Sequence, residues 1–92
     1  MRFEWDPQKA ERNLKRRRIS FAEASTVFYD PLAKTIADPD HSVTEHRELT
    51  LGQSHTGRLL IVSHTQRQDR IRIISARLPT RRERRQYEED EN

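Results

Sequence analysis

The longest unbroken apolar run in the sequence is Leu59-Leu60-Ile61-Val62. A segment apolar at odd and even positions alike cannot turn either face to water. It predicts a central strand over Arg58–Thr65, covered on both sides. The rest of the chain must be built around it from little apolar material. Hydrophobic residues are 32% of the 92 and charged residues 36%. A chain this short buries roughly two-thirds of the surface its unfolded form exposes. One domain spanning 1–92 is expected, with a core small enough to benefit from a partner.

Neighbouring segments supply the rest of a sheet. Gln66–Asp69 turns the chain and Arg70–Ala76 returns as a strand. By period two, Ile71 and Ile73 share one face while Arg72, Ile74 and Ala76 share the other. In the same alternation His64 lies with Leu60 and Val62. Upstream, Arg47–Leu51 alternates before the loop Gln53–Gly57, and Ala33–Ala37 is a short, weak strand. At the N-terminus, Phe3-Glu4-Trp5-Asp6 reads as a short edge strand. Asp6-Pro7 then opens a helix over 7–17 as N-cap and first-turn proline, with Ala10 and Leu14 its apolar positions. Ser20 and Glu23 form a capping box ahead of Phe21, Ala24, Val27 and Phe28, predicting a helix over 21–29 that Asp30-Pro31 stops. Thr80 and Glu83 form a second box, opening a last helix to residue 90. Tyr87 is the one large apolar residue of that helix, so a hydrophobic stripe cannot hold it down and its acidic end should fray. The predicted class is α+β: a strand, two helices, an antiparallel meander of three or four strands, and a C-terminal helix.

Several function classes drop out. There is no cysteine, so disulfide scaffolds, cysteine zinc sites and thiol nucleophiles are excluded. No apolar run approaches the roughly 18 residues of a membrane span. The polar start Met-Arg-Phe-Glu-Trp-Asp does not read as a secretory signal, which makes the cytoplasm the expected compartment. His41, His46, His55 and His64 lack zincin spacing, and Asp38-Pro39-Asp40-His41 reads as an acidic loop, so no metal or other cofactor is expected. With Gly52 and Gly57 the sole glycines, a glycine-rich phosphate loop is impossible.

What remains is arginine. Of eighteen basic residues fifteen are Arg, and the formal net charge is +3. Residues 9–18 carry six positive side chains against one negative, and 47–77 six against two. Between them, 19–46 carries one against five. GC-rich codon usage alone can raise Arg over Lys, but segregated charge suggests a basic face suited to nucleic acid. RNA brings its own nucleophile, the 2′-OH. A ribonuclease can therefore work with cations that neutralise the phosphate and a group that moves protons, without metal or covalent intermediate. Candidates for the cationic part are Arg70, Arg72 and Arg77 on and after the last strand, Arg47 on an earlier one, and the run Lys15-Arg16-Arg17-Arg18. His64 fits a satisfied core histidine as well as a base, and any single arginine fits a solvated surface.

Phe3-Glu4-Trp5-Asp6-Pro7, Lys9, Asn13, Ser20-Phe21-Ala22-Glu23-Ala24, Val27-Phe28, Asp30-Pro31, Arg72-Ile73-Ile74-Ser75-Ala76-Arg77, Glu83-Arg84 and Tyr87 together resemble the BrnT family. The resemblance runs from residue 3 to 87. It implies a RelE-like fold and a toxin of a type II toxin–antitoxin pair, a ribonuclease that halts translation. It also implies a BrnA-like ribbon-helix-helix antitoxin as partner, with operator DNA reached through that antitoxin. Arg77, Arg72, Arg47 and Arg17 inherit the catalytic phosphate contacts, and Lys15, Arg16, Arg18 and Arg70 wider RNA binding. His64 and Glu45 are the candidates for proton transfer, while Glu45 and Glu83 can equally orient an arginine. Where the family reads Lys-His-Gly, this sequence has Arg16-Arg17-Arg18. An arginine, which keeps its proton at any ordinary pH, is a poor base, and a turn suited to positive φ now carries a Cβ. The alternative is a catalytically weak homologue kept as a co-repressor. A general RNA-binding module is a third reading.

Overall fold

A computed structural model describes residues 1–40 and 46–89. Glu45, His41 and the acidic residues past Glu89 lie outside the described residues. Strands β1 (Arg2–Trp5), β2 (Lys34–Ala37), β3 (Arg47–Gln53), β4 (Leu59–Arg67) and β5 (Arg70–Arg77) form one sheet in the order β1-β5-β4-β3-β2. Its helices are α1 (Pro7–Arg17), α2 (Phe21–Thr26) and α3 (Arg81–Glu89), and a 3₁₀ turn over Val27–Tyr29 follows α2. The class is α+β as expected. β2 to β5 make the antiparallel meander, but β1 runs parallel to β5 and makes the sheet mixed. The apolar run lies in β4, at the middle of the sheet.

Its two faces seed two cores. Leu60 and Val62 pack with Ile73 and Ala76 beneath Ile19, Phe21, Ala24 and Val27 of the α1–α2 layer. Leu59 and Ile61 pack with Leu51 against Tyr87 of α3 on the opposite face. Each large side chain so buried is worth about 1.5–3 kcal/mol. The chain presses close on the sheet at Gly52. A Cβ there would stand 2.9 Å from Val27 Cγ1 and 3.0 Å from Ala33 Cβ, so the site admits glycine alone without displacement.

Local chemistry sets the helix ends. Asp6 caps α1 by accepting from the Gln8 N–H (2.9 Å), and Ser20 caps α2 by accepting from Glu23 N–H (3.0 Å). The second half of that box is not made. The Glu23 carboxylate turns inward instead, to Arg58 Nη2 (2.6 Å), Ser54 Oγ (2.7 Å) and Thr56 Oγ1 (2.8 Å). Helix α1 departs from expectation too. Leu14 is 48% exposed, and the buried residue is Asn13. Its amide donates to Ile19 O (2.9 Å) and its carbonyl accepts from Ala76 N–H (3.2 Å), tying the helix end to β5 by polar bonds.

Period two fails once on β5. His64 pairs with Ile73 and Ser63 with Ser75, so Ile74 is the extra residue of a bulge. Beyond it the alternation inverts, and Ala76 joins Ile73 in the same core rather than facing the other way.

Candidate functional site

Directly paired strand residues project to the same face. Arg47 pairs with Thr65, Thr65 with Arg72 and Arg72 with Glu4, giving one row across four strands. Two steps along, Leu51, Ile61 and Arg77 make a parallel row. Arg47, Arg72 and Arg77 therefore share the face that α3 only partly covers. The bulge is what brings Arg72 and Arg77, five positions apart, to one side.

Beyond α3 this face is open as two adjoining depressions that share Arg47 and Ile74. One is lined also by Arg17, Asp38, Asp40, Ser63, Ser75 and Arg77. The other is lined by Lys9, His46, Thr65, Gln66, Arg67 and Arg72. The groove thus gathers all four arginines named as catalytic candidates, with Arg17 reaching it from the end of α1. Asp38, which is buried, and Asp40, both from the acidic stretch between β2 and β3, bring carboxylates to the same lining. Lys15, Arg16, Arg18 and Arg70 are not part of its lining. Lys15 is an exposed partner of Glu11 (2.9 Å), and Arg70 sits at the β4–β5 hairpin beside Asp69.

Carboxylates of described residues hold Arg72 and Arg77. Arg72 Nη1 donates to Glu4 Oε2 (2.8 Å). Arg77 is bound bidentately, Nη1 to Glu83 Oε1 (2.8 Å) and Nη2 to Glu83 Oε2 (3.0 Å). The Arg77 bonds, with Thr80 N–H donating as well, hold the Glu83 carboxyl well below its usual range, at about 2. Arg77 is correspondingly raised, chiefly by Glu83 and in lesser part by the charge of Asp38.

His64 is on the other face. It is 5% exposed, its Nε2 lies 2.7 Å from Thr50 Oγ1 and its ring meets Phe28 edge-on. Burial lowers its pKa, which Glu48 only partly offsets, so the ring is neutral near pH 7. The sheet separates it from the arginines. The histidine at the groove is His46, exposed and immediately before β3. Sequence reasoning passed over it because it lies outside any predicted element; its place next to Arg47 was the available signal. Reasoning also missed Arg58, which binds Glu23 and donates to Arg18 O (3.0 Å), fastening the β3–β4 loop to the end of α1. Their separation in sequence left no local sign.

Comparison with known proteins gives this face a context. The model of a family described as the ribonuclease toxin, BrnT, of type II toxin–antitoxin systems matches residues 5–83. The crystal structure of the Brucella abortus ribonuclease toxin, BrnT, is similar with a TM-score of 0.67 and 18% sequence identity, over 88% of this chain and 99% of that one. No curated sequence matches the chain. The family match extends from the end of β1 into the first turn of α3 and takes in every groove arginine, so the chain belongs to the BrnT family of type II toxin–antitoxin ribonuclease toxins.

Proposed function

We propose that this protein is a metal-independent endoribonuclease that cleaves RNA in the cytoplasm and thereby stops translation. The observation that carries the reading is the convergence of Arg17, Arg47, Arg72 and Arg77 on one open groove. In the proposed reaction the 2′-oxygen attacks the neighbouring phosphorus and the bond from phosphorus to the 5′-oxygen breaks. A 2′,3′-cyclic phosphate and a free 5′-hydroxyl result. Guanidinium groups stabilise the charge that accumulates on the phosphoryl oxygens, each well-placed donor contributing about 3 kcal/mol to lowering the barrier. With His64 turned away, proton transfer falls to His46 at the groove or to Glu45, its chain neighbour.

A type II family implies an antitoxin partner, and a ribbon-helix-helix protein of the BrnA kind fits the resemblance. Its contact with operator DNA would carry the toxin into a repressor complex. Purified protein incubated with single-stranded RNA in EDTA is expected to produce 2′,3′-cyclic phosphate ends, and Arg77→Ala to reduce the rate at least about 100-fold. Intact RNA with folded wild-type protein contradicts the reading. The replacement of the family histidine by Arg17 favours a second reading, a weak or inactive toxin acting as co-repressor. Harmless expression without antitoxin, together with tight operator binding in its presence, would support that one.

A further inference from the structure

We infer that Glu83 is a positioning residue for Arg77, fixing its guanidinium so that the edge formed by Nε and Nη2 is offered to a phosphate; this deepens, and rests on, the ribonuclease reading above. A guanidinium has five N–H donors. Arg77 Nη1 uses one on Glu83 Oε1 (2.8 Å) and one on Leu78 O (3.2 Å), and Nη2 uses one on Glu83 Oε2 (3.0 Å). Glu83 thus occupies the end of the fork and Leu78 O the side next to Cδ. The two donors left over are Nε–H and the second Nη2–H. They lie parallel on one edge, at the spacing that matches two oxygens of a phosphate. Arg77 lines the groove, and no hydrogen bond to a described residue occupies this edge, while Asp38 of the same lining lies near enough for its charge to act on the guanidinium.

The carboxylate that does this is itself fixed. Glu83 Oε1 also accepts from Thr80 N–H (2.8 Å), and Glu83 N–H donates to Thr80 Oγ1 (3.1 Å). The capping box of α3 therefore doubles as the mount for a groove arginine. A cap alone needs one neutral acceptor, which a glutamine supplies. Holding both Nη atoms needs two acceptor oxygens, which a glutamine cannot present. The Arg77 side chain is 34% exposed, so without its clamp it has room to swing.

The substitution Glu83→Gln separates the two roles. Wild type, Glu83→Gln, Arg77→Ala and the double variant are compared on a single-stranded RNA oligonucleotide for kcat and KM. The same proteins are titrated with an uncleavable 2′-O-methyl version for Kd. Glu83→Gln is expected to lower kcat about 100-fold, to raise KM and Kd less than about tenfold, and to change none of the three in the Arg77→Ala background. Equal losses from Glu83→Gln with and without Arg77 overturn the inference, as does faster cleavage by Glu83→Gln, which would make the carboxylate a competitor of the phosphate. If wild type cleaves nothing, the ribonuclease reading fails; the Kd comparison still decides this one, dependence of the Glu83 effect on Arg77 supporting it and independence overturning it. Should Arg77→Ala melt below the assay temperature, Arg77→Gln, which keeps a hydrogen-bond donor for Glu83, takes its place.

Discussion

Arg17 and Arg18 are neighbours at the end of α1 with opposite relations to the fold. Arg17 lines the groove. Arg18 occupies the left-handed region at φ 59° and ψ 32°, where its N–H donates to Leu14 O and closes the helix. A side chain there costs about 1–2 kcal/mol relative to ordinary backbone, and this is the position where the resemblance to the family implies glycine. Replacing Arg18 by Gly keeps the carbonyl that Arg58 uses and relieves the strain, offset in part by the greater freedom of glycine in the unfolded chain. Arg18→Gly is expected to raise stability by about 0.5–1 kcal/mol in urea unfolding; an unchanged or lower midpoint contradicts the strain. This position was legible because the missing glycine stood against a known pattern. The burial of His64 was half legible: alternation put it with Leu60 and Val62, but Phe28 and Thr50, its partners, come from separate segments. The pair Glu23–Arg58 was not legible at all, since the capping box gave Glu23 a sufficient local role.

Among the elements, α3 shows how little apolar surface can hold a helix when polar ties assist. Tyr87 is 3% exposed against Leu51, Leu59 and Ile61, and its hydroxyl donates to Asp30 Oδ2 (2.6 Å). Lys34 Nζ reaches Gln86 O, and the clamp between Arg77 and Glu83 holds the first turn. As expected, no hydrophobic stripe holds this helix: through Glu89 it is held by one aromatic and three polar contacts, and the acidic end expected to fray runs on outside the described residues. Burial raises the Asp30 pKa, yet donors from Gln53, Tyr87 and Leu32 outweigh it, so its carboxylate stays charged to receive the Tyr87 hydroxyl. Tyr87→Phe is expected to cost about 1.5–3 kcal/mol, the range for a hydrogen bond to a charged group. Hydrogen exchange should quicken in α3 while β4 stays protected; equal quickening throughout the sheet would contradict the local role. Capping boxes and the apolar run were enough to place these elements. The parallel β1–β5 pairing and the Ile74 bulge were not, because one joins opposite ends of the chain and the other breaks the periodicity from which faces are read.

For the molecule as a whole, acid should act in two stages. The His64 pKa is lowered by folding, so below the ordinary histidine value of 6.5 the unfolded chain takes up the proton first. Stability present above 6.5 therefore falls as the pH drops toward the folded value. Glu23 goes from 4.5 to about 2 on folding, with the Arg58 bond the largest cause and its burial opposing. Its contribution, about 3 kcal/mol, is complete above 4.5 and lost as the pH falls through about 2. Urea midpoints measured from pH 7 downward should show both limbs, and Glu23→Gln should make the lower one shallower, leaving the part that Glu83 and Asp30 supply; a flat profile would contradict the buried network. The same tightly held framework carries the groove, whose arginines, in the proposed function, act on a phosphodiester with the RNA's own nucleophile. Cleavage of an oligonucleotide with one 2′-deoxy substitution at the cut position tests that most directly. Loss of cutting at that bond alone, with cyclic phosphate ends at the unmodified one, is predicted. Unchanged cutting at the 2′-deoxy bond, leaving a 5′-phosphate, would contradict it.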